Sequence, residues 1–132
     1  MSHELFWLVM TTCMTGLMWV PYILDRIMVR GLMGATANPS PNDSPQSAWA
    51  VRMNAAHANC VENLVVFAPL ALTCQALNLH TGTTAFACAL FFWCRLIYVA
   101  VYTAGIPVVR TLAFAGGFVA QANLVLAIFG II

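Results

Sequence analysis

Four apolar runs, each near the length that a bilayer demands, decide most of what this chain can become. A membrane-spanning helix needs roughly 20 mostly apolar residues, and the sequence offers them at about residues 5–24, 48–77, 84–101 and 108–131. Polar punctuation separates the runs. Asp25-Arg26 closes the first, and Ala35 to Ser47 (ATANPSPNDSPQS) reads as a solvated loop. His80-Thr81-Gly82 makes a tight turn, and Gly105-Ile106-Pro107 breaks the third run from the fourth. Only 7% of the residues are charged, against roughly 25% in soluble domains, so the chain lacks the surface of a water-soluble globule. The expectation is an all-α integral membrane protein, one domain over residues 1–132, built as a bundle of four transmembrane helices.

Charge and cysteine usage exclude other classes. The net charge is +1 with no Lys, so there is no basic stripe for nucleic acid. Cys13, Cys60, Cys74, Cys88 and Cys94 form no CxxC pair, and each lies in an apolar run, where Cys acts as a small hydrophobe. The Met10-Met14-Met18 series has no His or Cys placed beside it and reads as packing, so no metal site is expected. The start, MSHELFWLVM, carries an acid and no Arg or Lys before its apolar run. That is the wrong flank for a secretory signal, so the first run is expected to stay. With four spans, the first and third loops share one side, where Arg26, Arg30, Arg52 and Arg110 gather. The positive-inside rule makes that side cytoplasmic and puts both termini opposite, in the inner membrane if the source is bacterial.

Within this apolar chain, the segment "RMNAAHANCVENLVVF" from Arg52 to Phe67 is dense with polar groups. The second run, about 30 residues at about 1.5 Å each, outreaches a hydrocarbon core of about 30 Å. Its first turns can therefore stand in the headgroup layer, but Glu62 and Asn63 lie deeper. Arg95 in "FFWCRLIYVAVY" is equally anomalous, because an Arg within a span costs at least about 2.5 kcal/mol and normally faces a partner or a wet cavity. Glu62 is the only acid inside the expected spans and lies at a similar depth, so a Glu62–Arg95 ion pair is expected. At about 100° per residue, Arg52, Asn59 and Asn63 share a direction with Glu62 on the flank, and Arg95, Tyr98 and Tyr102 share a face. These faces are expected to meet in a polar cleft roofed by Arg110. His57 points elsewhere and is assigned a structural hydrogen bond. A single Asn or Tyr here is adequately explained as glue between helices; the convergence of so many costly groups points to a site for a polar, charged ligand. A pathway through the whole bilayer is disfavoured, since the half of the bundle opposite the arginines is expected to lack ionisable residues.

The motif resembles the signature of the MAPEG superfamily. The family pattern runs Arg, Ala-His-x-Asn, Glu-Asn and an aromatic on the second helix, then Arg with following tyrosines on the third and Arg opening the fourth. Arg52, His57, Asn59, Glu62, Arg95, Tyr102 and Arg110 match it in type, order and approximate spacing, across essentially the whole chain. The resemblance implies a homotrimer of four-helix subunits. It also implies glutathione held between neighbouring subunits and used on lipophilic electrophiles or hydroperoxides that arrive from the lipids of the bilayer. Glu62 would receive the glutathione ammonium, while Arg52, Asn59, Arg95, Tyr98 and Tyr102 would hold its polar groups. Arg110 would be the catalytic residue, since a nearby cation lowers a thiol pKa and the thiolate is the nucleophile. Glutathione-using members often carry further arginines where this chain has Ala55 and Ala58, so Arg30 or Arg26 would have to replace a carboxylate anchor. The alternative is a non-enzymatic, lipid-binding or scaffold member whose polar network is structural.

Overall fold

The structure is a computed structural model and describes all 132 residues. Five helices follow in order: α1 (His3–Leu17), α2 (Trp19–Thr36), α3 (Ala48–Ala76), α4 (Gly82–Ala104) and α5 (Pro107–Ile128). α1 and α2 run on as one segment, His3–Thr36, broken at Met18 and again at Gly31, so four stretches are long and apolar enough to cross a membrane. Local chemistry sets the ends. The Ser2 hydroxyl accepts from the Leu5 N–H to open α1, and a reciprocal Thr81–Thr84 capping box opens α4. Gly105, at φ 82°, closes α4 in the left-handed conformation that glycine adopts without strain, and Pro107 starts α5 where a missing N–H costs nothing.

Helical structure continues past Asp25-Arg26, where the apolar run ends, to Thr36. Inside this stretch, Gly31 (φ 70°, ψ 167°) turns the last residues out of line. Asp25 does not end the helix but holds the next one. Its carboxylate accepts from Ser47 N (3.0 Å), from the Ser47 hydroxyl and from Gln46 Nε2 (3.3 Å). Ser47 itself offers α3 no side-chain cap, so Asp25 satisfies a free donor at the start of α3 from another helix.

The core is built from small residues and stacked rings. Phe67 and Phe91 stack at 4.0 Å, surrounded by Leu8, Ala71, Cys74, Ala87, Cys88, Ala120 and Leu124. Alanine and cysteine at these positions let α1, α3, α4 and α5 approach closely, as membrane helices require. Only 26 of 132 residues are buried, and Met28, Val65 and Phe86 stand largely exposed, so the outer apolar surface needs lipid or a neighbouring chain as its solvent.

The N-terminus meets the α3–α4 turn at one end of the bundle. Glu4 is 1% exposed, accepts from the Thr84 hydroxyl at 2.6 Å, and lies 3.0 Å from His80 Nδ1. Ser2 bonds Gln75 alongside. The expectation that this half lacks ionisable groups is thus corrected: Glu4 precedes the apolar run in sequence, but α1 begins before it and the turn folds over it.

Candidate functional site

At the other end of the bundle, α3 and α5 converge in front of α4. Between them lies a cavity of about 260 Å³ lined by Asn59, Tyr98, Arg110, Thr111 and Phe114. Arg110 sits one turn into α5, where Pro107 sets the start of the helix. Its guanidinium lies 4.5 Å from the Tyr102 ring centroid, and that ring meets Tyr98 edge-on at 5.5 Å. The chain's ion pairs are Arg30–Asp43 and His80–Glu4, so Arg110 has no carboxylate to answer its charge.

Arg95 lies behind the cavity and is 1% exposed. The expected Glu62–Arg95 pair is not formed. Arg95 Nη1 instead donates to Asn59 Oδ1 at 3.0 Å, while Glu62 is exposed on the outer face of α3. Glu62 matches Arg95 in depth but not in direction, and Asn59, almost one turn earlier, is the residue rotated inward. Asn63 extends the chain of bonds, donating to Asn59 O at 2.9 Å and accepting at its own carbonyl from Gln121 Nε2 at 3.2 Å.

The other expected anchors are committed elsewhere. Arg52 Nε donates to Thr103 O at 2.9 Å. It thereby satisfies a carbonyl left free by the end of α4, and it lies outside the cavity. Arg30 is tied to the loop by Ser44 O at 2.9 Å and Asp43 at 3.5 Å, and Arg26 bonds Gln46 at 3.2 Å. Neither is drawn toward the positions of Ala55 and Ala58, because the loop supplies nearer acceptors. His57 bonds the Tyr22 hydroxyl at 2.8 Å, a tie between α3 and α2.

Sequence reasoning missed Thr111, Phe114 and Gln121. Phe114 follows from Arg110 by helical spacing, being four residues on, whereas Thr111 is the next residue and lies about 100° around the helix, where spacing gives no signal. Gln121 edges a second, apolar cavity of about 370 Å³, lined by Val66, Leu70, Phe118, Val125 and Leu126 among others. It lies about two turns deeper along the same two helices. A third cavity of about 550 Å³ sits at the opposite end, but there Glu4 and His80 already satisfy each other. The arrangement at the Arg110 end can therefore receive an anion beside an apolar trough.

The MAPEG family model matches residues 5–130 of the chain. No curated protein and no solved structure shows a significant match to it. With four span-length helices and that match over nearly its whole length, the chain belongs to the MAPEG family, membrane proteins of eicosanoid and glutathione metabolism.

Proposed function

We propose that the protein is a glutathione-dependent transferase or peroxidase acting on a lipophilic electrophile or hydroperoxide. The observation that carries this reading is Arg110, a cation without an acidic partner on the wall of a polar cavity. A thiolate placed there supplies the counter-charge that Arg110 lacks, and a preorganised cation favours the thiolate over the thiol. Asn59 Nδ2 makes no bond within the chain, Tyr98 lines the cavity, and the Tyr102 ring lies under the cation. The apolar cavity two turns deeper suits the hydrocarbon part of a substrate arriving laterally from the bilayer.

Glu62 enters this reading only through assembly. A carboxylate exposed within an apolar span is expensive in lipid, and a homotrimer would cover it and bring it to a ligand held between subunits, where it meets the glutathione ammonium. In the same reading Arg52 offers its terminal nitrogens from the rim, Arg95 supports Asn59, and Arg30 stays with the loop. The arginine-bearing end faces the cytoplasm, where glutathione is supplied.

Ala55 and Ala58, together with the commitment of Arg30 to the loop, favour the second reading: a lipid-binding or scaffold member without catalysis. Titration calorimetry of glutathione into protein in mild detergent separates the two. Binding accompanied by a thiolate absorbance band supports the enzyme; absence of binding leaves the scaffold.

A further inference from the structure

Arg95 is absent from the cavity wall, yet it touches three of the five side chains that form that wall. Nη1 donates to Asn59 Oδ1 at 3.0 Å, and the guanidinium carbon lies 4.6 Å from the Tyr98 ring centroid and 5.3 Å from that of Phe114. The remaining two, Arg110 and Thr111, stand on α5 a turn before Phe114.

As a device for holding helices together, Arg95 is poorly chosen. Its Nε and Nη2 have no partner although they are buried, and no acid balances the charge. A buried donor left unpaired costs about 1–3 kcal/mol, and a neutral Gln or Asn would glue the helices at lower cost. What the guanidinium alone provides is a flat ion that stacks on rings while donating in its own plane. An ammonium cannot do both.

We propose that Arg95 is a positioning residue. It fixes Asn59, Tyr98 and Phe114 relative to one another and so sets the shape of the cavity, without contacting the ligand. Gly117 is its seat. A Cβ added there would lie 3.1 Å from Nη2 and 3.2 Å from Nε, so the guanidinium would have to give by a few tenths of an ångström over the rings. The functional consequence rests on the glutathione reading of the cavity; the geometry does not.

The test uses full-length protein in detergent, labelled with ¹⁵N at asparagine, and follows the Asn59 side-chain amide, identified by its loss in Asn59→Asp. Arg95→Lys keeps the charge and loses the plane. Gly117→Ala keeps the arginine and displaces it, so the test survives if Arg95→Lys fails to fold. Both variants are expected to shift the Asn59 amide and to weaken glutathione binding about tenfold, with the Gly117→Ala thermal midpoint close to wild type. An unmoved Asn59 resonance in Gly117→Ala overturns the proposal, and so does a moved resonance with wild-type glutathione affinity. If wild type binds no glutathione while the resonance moves, the glutathione reading fails and the positioning of the wall stands.

Discussion

The two ends of the bundle treat buried charge in opposite ways. At the end holding the N-terminus, Glu4 is enclosed, and each carboxylate oxygen has its partner, Thr84 on one and His80 on the other. At the arginine end, Arg95 has one acceptor and two nitrogens, Nε and Nη2, without a partner, Arg110 has only an aromatic face, and Glu62 has no partner in its own chain. A completed polar network stiffens what it joins, whereas Arg110 and Glu62 keep bonding capacity for something outside the chain. The first end is a clamp; the second is the end proposed to receive a ligand.

The sharpest way to break this contrast is to damage each end and ask which property is lost. Arg110→Leu is expected to remove the thiolate absorbance of bound glutathione and to lower turnover about a hundredfold. Because Arg110 carries no ion pair, thermal unfolding in detergent should hardly change. Glu4→Ala should do the converse. It strips the partners from Thr84 and His80 and is expected to cost about 2 kcal/mol of stability, read as a lower thermal midpoint, while glutathione titrations match wild type. A loss of affinity in Glu4→Ala would show that the two ends are not independent.

Smaller effects refine the arginine end. Glu62→Gln removes a charge that pairs with nothing in its own chain, so the subunit should fold normally. Glutathione affinity should fall about tenfold, equivalent to about 1.4 kcal/mol, and N-acetylated glutathione, which lacks the ammonium, should bind wild type and Glu62→Gln alike if the ammonium is what Glu62 meets. Arg30→Ala should be the mildest. Its bonds to Asp43 and Ser44 lie at the surface, the first partly exposed and the second exposed, and surface pairs are worth about 0–1 kcal/mol. The expected result is faster proteolysis of the loop with binding unchanged.

The spans were legible because bilayer thickness and Pro/Gly punctuation leave a chain of this composition few alternatives, and the family was legible because residue type and spacing survive in the motif. The Glu62–Arg95 pairing was not. Matching depth along two helices is one coordinate, and contact also needs rotation; Asn59 and Glu62 differ by about 60° around α3, enough to send one inward and the other out. Arg52 shows a different blind spot: its partner is the Thr103 carbonyl, a backbone group that side-chain patterns never display. Glu4 shows a third, since its partners lie 76 and 80 residues away and nothing local announces them.

Asp25 has a consequence for how the sequence between α2 and α3 can vary. Its carboxylate grips Ser47 from 22 residues away, so the strap between them is cinched at its base and its tip, Asn38 to Asn42, is exposed. Loop-closure entropy then sets the penalty for lengthening it, and each doubling of length adds only about 0.6 kcal/mol. Evolution or an engineer can graft a peptide tag at Ser40 without disturbing the register of either helix, and an antibody against such a graft would read from which face of the membrane the strap is reached.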